Sequence, residues 1–123
     1  MKYNRILVVD DSATSRLIVR RCFEMAGFSD AVFMDAVDGG AALDLLRTND
    51  VDLVVTDLKM PRVDGLTLIR KLRNLPKIRD IPVVIISSVA DASEDDPVLH
   101  SGIVAVIQKP LSPAKLMHAF RED

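Results

Sequence analysis

Five short runs rich in Val, Ile and Leu constrain the fold of this chain more than any other feature. Four are strong and the second is weaker; in chain order they occupy residues 6–9, 31–34, 53–55, 83–86 and 103–107. The runs are nearly continuous and do not alternate between apolar and polar residues. Continuous runs are typical of strands that are covered on both faces, as in a parallel sheet. We therefore predict five strands with other elements packed on both sides.

The segment after the first run has the spacing of an amphipathic helix. Ser12 can cap this helix, and Gly27 is a suitable residue for its end. Its apolar positions Ile18, Cys22 and Met25 recur at intervals of four and three, which predicts an inward face. Cys22 is the only cysteine, so it cannot form an internal disulfide, and we expect it to be a small core residue.

Three further helices each start at a residue that caps helices well. Asp38 precedes residues 39–47, Asp64 precedes a helix that Pro76 stops, and Ser112 is followed by a proline at the first helical position. The predicted inward residues of these helices are Ala42, Leu43, Leu46, Leu68, Ile69, Leu72, Leu116, Ala119 and Phe120.

Residues 90–102 are predicted to contain one more, shorter helix. Ser93 is followed by three acidic residues, and acids in the first turn interact favourably with the positive end of a helix dipole. This helix would end near Ser101. A loop with a late single turn is the alternative.

Strands thus alternate with helices five times along the chain. Since parallel strands need crossovers of about a dozen residues, this alternation predicts a doubly wound α/β fold with a five-stranded parallel sheet. The chain has 123 residues, enough for one domain and too few for two. We see no internal repeat or linker, and we predict a single domain over residues 1–123.

The composition excludes several classes of protein. With 49% hydrophobic and 28% charged residues, the chain is globular rather than disordered or collagen-like. No apolar run approaches the roughly 18 residues that span a bilayer, and no signal peptide precedes the first strand, so we expect a cytoplasmic protein without a membrane partner. A net charge of −2 and a lack of Trp argue against direct nucleic-acid binding.

Polar residues follow four of the apolar runs, at the point where each strand is predicted to end. They are Asp10 and Asp11, then Thr56 and Asp57, then Ser87 and Ser88, and finally Gln108, Lys109 and Pro110. If the strands are parallel, all four groups lie at one edge of the sheet. Ligands bind at this edge in open α/β folds.

Three carboxylates at that edge would repel one another. Two unit charges about 4 Å apart interact by about 4 kcal/mol at the effective dielectric of a protein surface, and one lysine does not offset three such groups. An oxygen-only site that keeps water ligands suits Mg²⁺. No His or Cys is positioned to favour zinc, so we predict Mg²⁺ or Mn²⁺.

These residues give the sequence a resemblance to a known family. The motif consists of Asp10 and Asp11, Asp57 within residues 57–65 (DLKMPRVDG), Ser87, and Lys109 followed by Pro110. In this order and spacing they resemble the receiver domain of bacterial two-component response regulators, over essentially the whole chain. The resemblance implies a flavodoxin-like fold with strand order 2-1-3-4-5.

The resemblance also implies a role for each motif residue. Asp57 would accept a phosphoryl group from a phosphohistidine on a sensor histidine kinase or a histidine phosphotransfer protein. Asp11, Asp57 and the backbone carbonyl of Lys59 would bind Mg²⁺ directly, and Asp10 would act largely through water. Lys109 would neutralise charge on the phosphoryl oxygens, and Ser87 would donate a hydrogen bond to the phosphoryl group and move toward it. The changed surface would bind a downstream effector protein or an output domain outside this chain.

The sequence departs from the family pattern at several positions. Receivers commonly carry an aromatic residue three positions before the lysine, where this chain has Val106. We place Val106 and Pro110 in the part of the molecule that changes conformation, but an aromatic switch is not expected. The segment 93–101 is shorter than the helix it replaces. By the same resemblance, Lys59 and Val89 occupy positions that tune the dephosphorylation lifetime in the family.

Other functions remain open at this point. An aspartate-based Mg²⁺ phosphatase of the haloacid dehalogenase type needs Asp-x-Asp after its first strand, but Ser12 stands two residues after Asp10. A nucleotide-binding module needs a Gly-rich loop there, which is missing. A receiver that serves only as a phosphate shuttle or sink would have the same motif. The leading hypothesis is a signalling switch that is not itself an enzyme, although it assists its own phosphorylation and dephosphorylation.

Overall fold

A computed structural model describes residues 3–60, 62–88 and 102–121. The strands are β1 (Arg5–Val9), β2 (Val32–Ala36), β3 (Leu53–Asp57), β4 (Val83–Ser87) and β5 (Ile103–Gln108). The helices are α1 (Ala13–Phe23), α2 (Gly39–Thr48), α3 (Gly65–Arg73) and α4 (Pro113–Ala119). The helix predicted over residues 93–101 and the prediction for Val89 lie outside the described residues.

All five strands form one parallel sheet in the order β2-β1-β3-β4-β5, which confirms the predicted fold class and strand order. The order reverses between β1 and β3, whose carboxyl ends therefore form the crevice in which ligands bind in such folds. In register, Val9 pairs with Thr56 and Asp57 pairs with Ile86. Asp57 and Ser87 are the last residues of their strands.

The four predicted caps are confirmed. The side-chain oxygens of Ser12, Asp38, Asp64 and Ser112 each accept a hydrogen bond from the backbone N–H three residues later. Each cap satisfies a donor that the first turn of a helix leaves unpaired. The caps fix where the helices start, on the carboxyl side of the sheet.

Alternate strand residues face two cores on opposite sides of the sheet. On one side, residues such as Leu7 and Val54 pack against α2 and α3; on the other, residues such as Ile6 and Val55 pack against α1 and α4. β1, β3 and β4 are covered on both faces, which explains why their runs do not alternate in polarity. None of the helices in the described ranges is long and apolar enough to cross a membrane.

The predicted inward face of α1 is partly wrong. Cys22 is buried as expected, but Ile18 is 51% exposed and Met25 is 73% exposed. The buried residues of α1 are Val19, Cys22 and Phe23. The helical stripe is therefore rotated by about one position, because several apolar residues follow one another here and Phe23 has the largest side chain to bury.

The chain after α1 continues as a wider, π-type helical turn over Glu24–Phe28. Gly27 within it has a backbone φ of 109°, in the left-handed region that favours glycine. This turn brings Phe28 into a cluster that contains the one Tyr and all four Phe of the chain. The aromatic residues thus serve the core between α1, β2 and α4.

We expect Phe23→Ala to lower the free energy of unfolding by about 3–5 kcal/mol, because it removes a fully buried ring from this cluster. Met25→Ala, on the exposed side of the helical turn, should change it by no more than about 0.5 kcal/mol. Urea denaturation of both variants measures the difference. Equal losses would contradict the face of α1 described above.

Candidate functional site

An ion pair joins the ends of β3 and β5 at the carboxyl edge of the sheet. The Nζ atom of Lys109 donates to Oδ2 of Asp57 at 2.7 Å. The Asp57 side chain is buried, whereas that of Lys109 is partly exposed. Two of the residues predicted at this edge are therefore in direct contact. Charge-assisted bonds of this length are among the stronger hydrogen bonds in proteins.

The backbone around Lys109 is held by two neighbouring elements. The Lys109 N–H donates to the carbonyl oxygen of Ser87 at 2.8 Å, which extends the pairing between β4 and β5. The ammonium group of Lys115, on α4, donates to the carbonyl oxygens of Gln108 at 3.0 Å and Pro110 at 2.7 Å. The Lys109–Pro110 peptide bond is cis. Lys115 was not predicted as a site residue, since its contacts depend on where α4 packs.

Three further contacts hold Asp57 in place. The hydroxyl of Thr56 donates to the Asp57 carbonyl oxygen at 2.9 Å, and the N–H of Lys59 donates to Asp57 Oδ1 at 3.3 Å. Gly65, at the start of α3, lies so close that a Cβ atom there would overlap the Asp57 carbonyl oxygen. Glycine is therefore required at position 65 because the backbone of β3 and the start of α3 meet.

Asp10, at the end of β1, is the second buried carboxylate of the site. Its Oδ1 accepts from the N–H of Ser12 at 2.9 Å, and its carbonyl oxygen accepts from Nη1 of Arg16 at 2.7 Å. Arg16 also forms an ion pair with Asp35 at 3.3 Å, which links α1 to the end of β2. Sequence reasoning missed Arg16, because nothing local distinguishes it from other arginines on α1.

The charge of Asp10 is only partly compensated. Burial raises the pKa of its carboxyl group, and the negative charges of Asp57 and Asp11 raise it further, against the opposing effects of Ser12 and Lys109. Asp10, Asp57, Lys109 and other residues line a cavity of about 360 Å³. The buried end of the site thus combines two carboxylates with one ammonium group.

Asp11 is exposed, unlike Asp10 and Asp57. Within residues 3–60, 62–88 and 102–121, no three His, Cys, Asp or Glu side chains lie close enough to form a metal-binding group. Mg²⁺ does not require such a group, because it is commonly bound through one or two carboxylates and keeps several waters. The oxygen-only donors of Asp10, Asp57 and the Lys59 backbone fit that chemistry.

Comparison with known proteins identifies the family. The model of the response regulator receiver domain matches residues 6–121. The chain belongs to the response regulator receiver family. It is 35% identical to the chemotaxis protein CheY homolog of Campylobacter jejuni over 113 residues, which are 91% of this chain and 85% of that protein.

Two other relatives show the range of the family. The chain is 35% identical over 114 residues to the cyclic di-GMP phosphodiesterase response regulator RpfG of Xanthomonas campestris, covering 90% of this chain but only 29% of that protein. A putative response regulator from Chloroflexus aurantiacus superposes with a TM-score of 0.81 at 26% identity, over 95% of this chain and 93% of the other. Receiver domains are in general signalling domains that bind Mg²⁺ and are not themselves enzymes.

The remaining predicted residues of this receiver lie near the ion pair or on β5. Ser87 is buried at the end of β4, and its carbonyl oxygen contacts Lys109. Pro110 lines the cavity beside Asp57. Val106 is exposed on β5. Their roles in switching stay predictions.

We expect Asp10→Asn to stabilise this receiver against unfolding near neutral pH in the absence of divalent cations. Because the folded-state pKa of Asp10 is raised, its contribution to stability falls as the pH rises from the unfolded-state pKa through the folded-state pKa. Asparagine removes the charge and keeps an oxygen that can accept from Ser12. The urea midpoint should therefore be higher than in the wild type, and the difference should shrink in acid.

Asp44→Asn is the matched control, since the Asp44 carboxylate is 78% exposed on α2. It should change the free energy of unfolding by no more than about 0.5 kcal/mol. A lower urea midpoint for Asp10→Asn than for the wild type would contradict the charge balance described here.

Proposed function

We propose that residues 1–123 act as a phosphorylation-controlled signalling switch in which Asp57 is the phosphoryl acceptor. The donor would be the phosphohistidine of a sensor histidine kinase or of a histidine phosphotransfer protein. The observation that supports this most is the 2.7 Å ion pair between Lys109 and Asp57, beside a second buried carboxylate at the sheet edge. The cytoplasmic location expected from the sequence belongs to the same proposal.

In the proposed transfer, one carboxylate oxygen of Asp57 forms a bond to phosphorus as the P–N bond of the phosphohistidine breaks. The electron pair of that bond stays on the imidazole, which takes up a proton, and Asp57 becomes an acyl phosphate. Hydrolysis restores the carboxylate by a separate step: a water oxygen bonds to phosphorus, the P–O bond to Asp57 breaks with its electron pair returning to the carboxylate, and inorganic phosphate leaves as a proton of the water passes to solvent. Lys109 would stabilise negative charge on the phosphoryl oxygens in both directions.

Asp10, Asp11, Asp57 and the carbonyl oxygen of Lys59 are the groups that would hold Mg²⁺, with Mn²⁺ as the alternative. When bound, the ion supplies positive charge that neutralises the transferring phosphoryl group. The raised pKa of Asp10 supports this assignment, because it reflects a buried charge that the neighbouring groups leave partly uncompensated. The exposed Asp11 would bind the ion directly, and Asp10 would act largely through water.

The switch would start at Lys109. A phosphoryl group adds about −1.5 to −2 charges and offers new acceptor oxygens, so the Lys109 ammonium would exchange its bond with Asp57 Oδ2 for bonds to the phosphoryl group. The hydroxyl of Ser87 would move toward the same oxygens. The Lys109 N–H is hydrogen-bonded to the carbonyl oxygen of Ser87 on β4, and the Pro110 carbonyl oxygen accepts from Lys115 on α4. Both β4 and α4 would therefore respond to a movement of Lys109.

This response would alter the surface next to β5. Val106 is exposed there, and because it has no aromatic ring, Ser87 and Lys109 would carry the conformational signal without it. The altered surface would bind a downstream effector protein or a linked output domain outside this chain. The local change in charge would thus become a change in protein contacts.

Asp57→Asn should abolish phosphorylation. The wild type, incubated with Mg²⁺ and a small phosphodonor, should gain the mass of a single phosphoryl group, and the variant should gain none because it lacks the nucleophilic carboxylate. Intact-mass spectrometry measures this. Asp44→Asn, with its exposed carboxylate, should be labelled like the wild type. Unchanged labelling of Asp57→Asn would rule out Asp57 as the acceptor.

Lys109→Ala should separate metal binding from switching. Removing the ammonium group frees Asp57 Oδ2, so Mg²⁺ affinity should be unchanged or higher, whereas phosphorylation should slow by about a hundredfold. NMR shifts of β5 amides on phosphorylation should also be lost. Lys71→Ala, on exposed α3 surface, is the control and should match the wild type. A collapse of Mg²⁺ affinity in Lys109→Ala would show that the two roles are not separate.

A further inference from the structure

The loop between β3 and α3 contacts the first turn of α2, an element outside the motif that identifies the family. We infer that Gly39, through its contact with Val63, is a positioning residue that sets where the Lys59 carbonyl lies. This inference rests on the proposed function, in which that carbonyl is a Mg²⁺ ligand.

One side of this loop is anchored in the core. The N–H of Gly65 donates to the carbonyl oxygen of Leu58 at 3.0 Å and closes the base of the loop. The side chains of Leu58 and Met60 are buried among the residues that pack against α2 and α3. Lys59 lies between Leu58 and Met60, whose buried side chains restrain its backbone on the core side of the loop. The far side of the loop needs a separate contact.

Gly39 supplies that contact. Its N–H donates to the carbonyl oxygen of Val63 at 3.0 Å. A Cβ atom at position 39 would lie 2.5 Å from Val63 Cγ1 and 2.8 Å from the Val63 carbonyl oxygen, closer than real Cβ atoms approach. The loop can therefore sit this close to α2 only because residue 39 has no side chain. Any larger residue there must push Val63, and the loop with it, away from α2.

The neighbouring ion pair cannot serve the same purpose. Arg62 lies 3.6 Å from Asp38, but the Arg62 side chain is 82% exposed. Because its guanidinium end lies in solvent, this pair is screened and contributes little. Asp38 instead caps α2 by accepting from the N–H of Ala41 at 2.8 Å, which holds the first turn in place. The cap thus holds the first turn of α2 in place, and this turn contacts the loop through Gly39.

Small displacements matter for the proposed ligand. Mg²⁺ requires nearly ideal octahedral geometry with oxygen distances of about 2.0–2.1 Å. A displacement at Val63 that is passed along the loop to Lys59 would move its carbonyl oxygen relative to Asp57, and the two groups would then hold Mg²⁺ less well. Replacing a residue that contacts a metal ligand and orients it typically lowers the metal affinity by about 10- to 100-fold.

The chain provides a matched pair of glycines to test this. Gly39→Ala should raise the Mg²⁺ dissociation constant by about tenfold or more. Gly40→Ala, one residue along the same helix, should leave it within about twofold, because a Cβ there meets only Asp38 Oδ1 at 3.4 Å. Calorimetric titration with Mg²⁺ measures both, at a temperature where circular dichroism shows each variant to be folded.

Two further measurements separate positioning from a general loss of structure. The isotope-labelled carbonyl carbon of Lys59 should shift on Mg²⁺ addition in the wild type and Gly40→Ala, and much less in Gly39→Ala. Adding Val63→Ala to Gly39→Ala removes the nearest clashing atom and should restore part of the affinity. If Gly39→Ala does not fold, Val63→Ala alone, which loosens the contact without a clash, should still weaken Mg²⁺ binding.

The outcomes distinguish this inference from the proposed function. If the wild type binds Mg²⁺ with a shift at Lys59 and Gly39→Ala or Val63→Ala binds it equally well, the positioning role is overturned and the metal site stands. If the wild type shows no Mg²⁺ binding or no shift at Lys59, the proposed metal site and this inference both fail. Tenfold weaker binding in Gly39→Ala with partial rescue by Val63→Ala supports the inference.

Discussion

The ion pair between Lys109 and Asp57 is the interaction on which the site depends. It joins β5 to β3, which are not neighbours in the sheet because β4 lies between them. Burying the carboxylates of Asp10 and Asp57 together is unfavourable, and one ammonium group offsets only part of this cost. The pair therefore holds the edge of the sheet together while it leaves residual negative charge. In the proposed function, a divalent cation would offset the residual negative charge and a phosphoryl group would add to it.

The location of these charges could be predicted from the sequence, because a parallel sheet converts sequence order into proximity. Asp10, Asp57 and Lys109 each follow a continuous apolar run, and the ends of such strands share one edge. The contacts that orient them could not be predicted. Arg16, Lys115 and the loop contact of Gly39 depend on how helices pack across the fold, and no local pattern marks them.

The inward face of α1 shows a second limit of sequence reasoning. Leu17, Ile18 and Val19 follow one another, so more than one helical stripe is apolar and spacing alone cannot choose between them. Packing decides which stripe faces inward. The ring of Phe23 contacts Phe33 on β2 and Phe120 at the end of α4, so the side of α1 that carries Phe23 is the buried one. Ile18 is left half exposed at the rim of the cavity beside Asp57. The cost of exposing one isoleucine is smaller than that of exposing a phenylalanine.

Two loops contact Asp57, one after β3 and one after β5, and they pack against the cores on opposite sides of the sheet. Leu58 and Met60 belong to the core under α2 and α3, whereas Leu111 packs against the core under α1 and α4. Asp57 contacts one loop through the N–H of Lys59 and the other through the ammonium group of Lys109. A group bonded to Asp57 must alter both contacts at once. The two helical layers are therefore linked through one carboxylate at the edge of the sheet that separates them.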